Sequence, residues 1–167
     1  MIETLTRTEA SVADLGQLLI DATAHGTGVG FLHPLARDKA EAHWRKAFAA
    51  AERGERVILG LREQSRIVGT VTLVVGLPEN QPHRAEVQKV LVAVEHRRRG
   101  LGARLMCEVE SLAARLGKSL LVLDAVPFGD GAKLYDRLGW NRAGEIPDFA
   151  LLPDGTRTPT RFYWKRV

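Results

Sequence analysis

The chain contains a single cysteine, Cys107, so neither an internal disulfide nor a zinc site built on several thiolates is open to it. No run of about 18 apolar residues occurs that could cross a bilayer. The opening Met1-Ile2-Glu3-Thr4-Leu5 lacks the basic segment and apolar run of a secretory signal. Aromatic residues make up only 6% and the net charge is only +4. Despite a pI near 9.6, that is too few stacking rings and too little excess charge for a nucleic-acid reader. The five histidines are scattered without the spacing of a ligand set, and no metal is expected. There is no repeat and no low-complexity stretch. What is present is ordinary for a globular protein: 167 residues, 45% hydrophobic and 26% charged, enough for one cored domain over 1–167. The expectation is a soluble, cytoplasmic protein with no nucleic-acid or membrane partner.

Apolar periodicity divides the chain into alternating elements. Residues 2–7 suit a short strand. Val12, Leu15, Leu18, Leu19 and Ala22 fall on one face of a helix reaching Ala24, with Ser11 as its N-cap. His25 to Phe31 carries a Gly-x-Gly-x-Gly pattern, but a helix precedes it where a dinucleotide fold needs a strand, so it is expected to be a loop. Pro34 to Arg53 reads as a second helix with Ala40, Trp44, Ala47, Phe48 and Ala51 inward and His43 a structural, partly buried histidine; Gly54 stops it. Val57–Leu61 and Ile67–Val75 suggest an antiparallel hairpin, and Gly76–His83 a loop.

The most informative stretch is Arg97-Arg98-Arg99-Gly100-Leu101-Gly102. It follows a β-branched run over 85–94 that reads as a buried strand. It precedes Leu101, Leu105, Val109, Leu112 and Leu116 at helical spacing, a helix closed by Gly117. A basic, glycine-bearing turn from strand into helix makes an anion site, because the first helical turn has free N–H groups and a partial positive charge. A pyrophosphate is the expected occupant. Leu120–Val126 is a second buried strand, which completes a βαβ crossover and a parallel pair. A short helix over about 131–138 and two last strands, 140–146 and 160–166, complete a mixed α/β domain around one twisted sheet.

Arg97-x-x-Gly100-x-Gly102 after a Val92-x-Val94 strand resembles the acetyl-CoA-binding signature of the GNAT N-acetyltransferase superfamily, and the order of elements matches as well. Within it the sequence most resembles the tabtoxin-resistance acetyltransferases. That likeness rests on Gly28-Val29-Gly30-Phe31, Arg84-Ala85-Glu86-Val87-Gln88-Lys89, Leu123-Asp124, and Gly144-Glu145-Ile146-Pro147 with Pro153-Asp154-Gly155. Val94 stands where the superfamily often has proline and Arg98 where it usually has glycine; neither change removes a backbone donor. The resemblance implies a mostly antiparallel sheet with one parallel crossover and helices on both faces. It also implies acetyl-CoA as co-substrate, a small amine as acceptor, and an assembly that is often a homodimer. Acceptor choice is expected in the loops 25–34, 76–84 and 147–159.

Residue roles follow from the same resemblance. Amides from Arg99 through Gly100, Leu101 and Gly102 to Ala103 would hold the pyrophosphate. Arg97, Arg98 and Arg99 would meet the CoA phosphates. Val92, Ala93 and Val94 would pair with the pantetheine arm and polarise the thioester carbonyl. An alkylamine is mostly protonated near neutral pH, so a base is required. Glu86 is the first candidate, placed by period-two alternation on the face of Val90, Val92 and Val94; a strand-end salt bridge is its structural alternative. Asp124, closing an apolar strand near the gap where parallel strands diverge, is the second; a cap or an arginine partner is the alternative. Tyr135 is the candidate acid for the departing thiolate, or else a packing aromatic. Cys107 lies off the apolar stripe with no partner base, which argues against an acyl-enzyme. The competing functions are a non-catalytic acyl-CoA-binding module and a protein N-acetyltransferase.

Overall fold

The computed structural model describes all 167 residues, Met1–Val167. Seven strands, β1 Ile2–Thr4, β2 Arg56–Glu63, β3 Arg66–Val74, β4 Arg84–Val92, β5 Leu120–Ala125, β6 Asn141–Leu151 and β7 Arg157–Arg166, form one sheet in the order β1-β2-β3-β4-β5-β7-β6. Four helices accompany them: α1 Glu9–Ala24, α2 Arg37–Glu52, α3 Leu101–Arg115 and α4 Asp130–Arg137. Every neighbouring pair is antiparallel except β4 with β5, which α3 connects as a crossover. This is the expected mixed α/β fold.

Cross-strand partners point to the same side of a sheet, so the register sorts residues into two faces. Leu61, Gly69 and Val92 stand in one row. They face α3, since a Cβ on Gly69 would lie 3.1 Å from Leu105 Cδ1. The row Arg56, Val74, Glu86, Val122, Trp164 and Asn141 lies on the opposite face. That face also carries the buried Thr70 and Thr72, and α1 and α2 pack over it. The two helices are tied to each other by Trp44, whose indole N–H donates to the Leu15 carbonyl at 2.8 Å. Leu105, Met106, Val109 and Ala113 bury α3, while Leu121, Leu123 and Tyr163 continue the core beneath α4.

Several boundaries differ from the periodicity reading. Thr8, not Ser11, caps α1: its Oγ1 accepts from the Ser11 N–H at 3.0 Å, and Ser11 is buried in the first turn. The second helix begins at Arg37 rather than Pro34, with Ala51 packed against the core as expected. In α3 the apolar stripe passes to Ala113, leaving Leu116 exposed at the C-cap, because a 3.6-residue period drifts off the sheet over four turns. The first strand ends at Thr4, although the Leu5 N–H still bonds the Ile58 carbonyl at 2.8 Å. The last two strands are longer than read. β6 continues through Pro147 to Leu151, with irregularities between Arg142 and Gly144 and between Ile146 and Ala150 that broke its alternation in the sequence. Much of the expected 147–159 loop is therefore the far half of a hairpin. Cys107 is exposed, as its place off the stripe implied.

Two stability outcomes follow. Leu105 is fully buried against the glycine row of the sheet. Leu105→Ala should cost about 2–5 kcal/mol in urea unfolding at unchanged m-value. His43 is half-buried, and desolvation, then the charges of Lys89, Arg56 and Lys46, lower its pKa from the ordinary 6.5 to about 4. The unfolded chain therefore takes up a proton near pH 6.5 that the folded chain refuses until about pH 4. Stability contributed by neutral His43 should be full above that window and lost as pH falls through it. His43→Gln should flatten the decline in Tm measured across it.

Candidate active site

β4 and β5 are hydrogen-bonded neighbours only at Arg84–Leu120, Ala85–Leu121 and Glu86–Val122; both strands run on, but apart. The cause lies in β4. Gln88 faces Thr72 and Leu91 faces Thr70, so Lys89 and Val90 together occupy the place opposite Val71. Lys89 takes φ +53°, the left-handed conformation that such a bulge requires. An extra residue bends its strand and resets the alternation. Glu86, Gln88 and Leu91 consequently share the α1/α2 face, while Val92 turns to the α3 face with Val87. The expected common face for Glu86 and Val92 is thus overturned by the bulge, which strict period-two counting could not register.

Val92 ends the strand. The Ala93 N–H donates to the Val68 carbonyl at 2.8 Å, so Gly69 and Val92 form a non-hydrogen-bonded pair and Val92 turns its own N–H and C=O into the gap. The carbonyl accepts from Arg97 Nε at 3.3 Å; the N–H stays open. Val94 is not in the strand as expected but begins a 3₁₀ turn, Val94–His96, and the Ala93 N–H is already used. Of the three residues expected to meet a pantetheine arm, Ala93 has its amide used within the sheet, while Val92 presents its own to the gap.

The turn that follows is shaped by two left-handed residues, Arg98 at φ +63° and Gly100 at φ +77°. Arg98 through Ala103 donate their amides to no acceptor in the protein. These open donors at the positive end of a 15-residue helix form the anion cradle foreseen from the motif. A Cβ on Gly102 would press on Leu134 Cδ2 at 3.2 Å, so glycine keeps α3 and α4 close beside the cradle. The three arginines are not equivalent. Arg97 is tied to the Val92 carbonyl, and Arg99 forms a fork with Glu63 at 3.2 and 3.3 Å. Glu63 also takes His96 Nε2 at 3.2 Å. Arg98 alone of the three has a side chain without a protein partner, while Arg97 keeps its two terminal nitrogens free.

The three candidate catalytic residues divide across the sheet. Glu86 and Asp124 lie on the α1/α2 face. There, with Arg84, Gln88, Phe162 and Trp164, they line a cleft of about 300 Å³. Glu86 is engaged: Arg84 donates to its Oε1 at 2.8 Å and Gln88 to its Oε2 at 3.4 Å. Asp124 is in no ion pair. Burial on its protein side raises its pKa above the ordinary carboxylate value, with Lys89 opposing and the Glu86 charge adding to the rise. Tyr135 lies across the gap, under α4, packed on Tyr163 at 5.6 Å and Trp140 at 6.1 Å between ring centroids. Burial raises its pKa, and the Asp124 charge adds to this, so the phenol stays protonated throughout the physiological range.

The 25–34 loop packs beside the end of β5 and against Lys89. The His33 N–H bonds the Pro153 carbonyl at 2.9 Å, and a Cβ on Gly28 would meet Val126 Cγ2 at 2.8 Å. Two of the three expected specificity loops, 25–34 and 147–159, therefore meet. The third, 76–84, sits at the other end of the strands, where Lys118 Nζ donates to the Pro82 carbonyl at 2.7 Å. Sequence reasoning passed over Lys89, whose Nζ donates to the Val29 carbonyl at 3.0 Å and lies 6.0 Å from the Phe31 ring. The available signal was a lysine directly before the apolar run Val90-Leu91-Val92 of β4.

Comparison with known proteins agrees with this geometry. A sequence model of the acetyltransferase (GNAT) family matches residues 30–140. Among solved structures, the ribosomal-protein-alanine N-acetyltransferase of Brucella melitensis superposes with a TM-score of 0.82 at 21% identity, covering 100% of this chain and 99% of that one. An N-acetyltransferase of Staphylococcus aureus Mu50 gives 0.80 at 17% identity over 99% and 98%. The yncA protein of Salmonella typhimurium, solved with its cofactor acetyl-CoA, gives 0.79 at 18% identity over 99% and 94%. With the amide cradle before α3, the parted strands and a family match over more than half its length, the chain belongs to the GNAT family of acetyl-CoA-dependent acetyltransferases.

Proposed function

We propose that the protein transfers the acetyl group of acetyl-CoA directly to the primary amine of a small molecule. The class suggested by the sequence resemblance is an amino-acid-like toxin or antibiotic of the tabtoxinine-β-lactam type. One observation carries the reading: the gap between β4 and β5 has an anion cradle and a protonated phenol on one face, and two carboxylates lining a cleft on the other. A thioester entering from the cradle side presents its carbonyl to an amine arriving from the cleft side.

The chain's own groups then have separate tasks. Amides of Arg98 to Ala103 and the Arg98 guanidinium hold the pyrophosphate. The Val92 N–H, open to the gap, holds the arm and supports negative charge on the carbonyl oxygen. Asp124 takes the proton from the ammonium form of the acceptor. What supports it over Glu86 is that Glu86 is already bound by Arg84 and Gln88, while Asp124 is unpaired and shifted toward a useful basicity. Glu86 orders Arg84 at the cleft floor and helps to raise Asp124. Tyr135 returns a proton to the thiolate. The closed junction of the 25–34 loop with the β6–β7 turn favours a small acceptor over a peptide.

The test is CoA release across a panel of amines. Tyr135→Phe should lower kcat by about 10²-fold or more with little change in acetyl-CoA affinity, the pattern of an interaction made in the transition state. Unchanged turnover would remove Tyr135 from the reaction. Because Asp124 must be deprotonated to act, wild-type kcat/KM should fall as pH drops through its raised pKa. Asp124→Asn should lose about 10²–10⁴-fold in rate together with that acid limb. An acid limb that survives in Asp124→Asn and vanishes in Glu86→Gln would move the base to Glu86. Tight acetyl-CoA binding with no turnover of any amine would favour a binding module.

A further inference from the structure

We propose that Arg56 and Lys89 form an anion subsite that receives a carboxylate of the acceptor, so that the substrate is an amino acid or another amine bearing a carboxylate. This rests on the small-amine reading above and gives it a chemical class. Arg56 opens β2 and stands in the cross-strand row of Glu86, on the cleft face. Its Nε is buried and has no hydrogen-bond partner. Lys89 spends one of its three donors on the Val29 carbonyl. Neither cation belongs to an ion pair of the protein. His43 of α2 feels the charge of both and stands edge-on to the Phe31 ring at 5.3 Å. The row next to Arg56 holds Thr72, buried with its Oγ1 also unpartnered.

A buried donor without an acceptor is costly, because it loses its hydration and gains nothing in return. Such groups persist where something else satisfies them. The charges that reach this place are positive in excess: Lys89 and Arg56 both act on His43, and Arg56 acts on Lys89, with Asp124 the one acid that reaches Lys89. A neutral His43 is the expected neighbour of two such cations. Two cations with one acid in reach leave an excess of one positive charge, which suits a carboxylate monoanion, and both side chains keep open donors for it. The site is also distinct from the cradle before α3, which lies on the other face of the sheet. An acceptor held here by its carboxylate directs its amine toward Asp124 and the gap. Lys89 is therefore a specificity residue that also sits at the bulge where the strands part.

Two measurements separate this subsite from the broader reading. In the first, histidine NMR at neutral pH follows the His43 ring, with CoA present, during titration with N-acetyl-L-alanine and with N-acetyl-L-alaninamide, probes shaped like a product. The acid should bind at least tenfold more tightly than the amide. Lys89→Met and Arg56→Met should each erase the difference, and Lys89→Arg should restore it, which a purely structural lysine would not require. Equal binding of acid and amide, no response at tens of millimolar acid, or an unchanged preference in both methionine variants would overturn the subsite. The second compares CoA release for amino acids, their amides and phosphorylated amines. The acid-to-amide ratio of kcat/KM should exceed ten and collapse in Lys89→Met; a preference for phosphorylated amines would overturn the carboxylate assignment. Acid-selective binding without any turnover would leave the anion subsite standing and remove the acetyl-transfer reading instead.

Discussion

The parting of β4 from β5 is the constraint from which the rest of this structure follows. Two parallel strands that stay paired bury their edges in each other and leave no room for a ligand. Here the ladder stops after Glu86–Val122, three residues before Lys89 inserts an extra unit into β4. Beyond that point the Val92 amide faces empty space rather than a neighbouring strand. The sheet then holds a gap between β4 and β5 into which the Val92 main chain points.

The candidate site residues divide around that gap by the face they occupy. α3 and α4 bring free amides and the buried Tyr135 to one side. α1, α2 and the loop between them cover the other side, where Arg56, Lys89, Glu86 and Asp124 collect. A reaction that joins two substrates across a sheet benefits from this separation, since each substrate can be gripped by its own anion site. The acidic and basic groups can then act on opposite sides of one carbonyl carbon. Residues with no polar chemistry support the arrangement: Gly69 admits Leu105, Gly102 admits Leu134, and Gly28 lets the 25–34 loop lie on Val126.

The fold is largely legible in the sequence, because a helix with apolar residues every three or four positions and strands rich in β-branched residues declare themselves locally. The βαβ unit, the loop 25–34, the outward Cys107 and the amide cradle were all readable in this way. Three things were not. The cap of α1 moved to Thr8 because either hydroxyl can accept from the first turn. Strand β6 was cut short because its irregularities break alternation and nearly all of it is exposed. The sharing of a face by Glu86 and Val92 failed because one left-handed residue in mid-strand leaves no mark in the pattern of hydrophobicity.

By itself, then, the sequence determined the elements, their order and the open-amide turn before α3, since these depend on contacts between residues close along the chain. Only the tertiary structure decided which donors remain open. Arg99 is spent on Glu63 from a distant hairpin, Arg97 Nε on a main-chain carbonyl and Glu86 on Arg84, while Arg56, Lys89 and Asp124 are left without ion-pair partners. Whether a charge is free or satisfied depends on what folding brings to it from elsewhere in the chain. No local pattern encodes that.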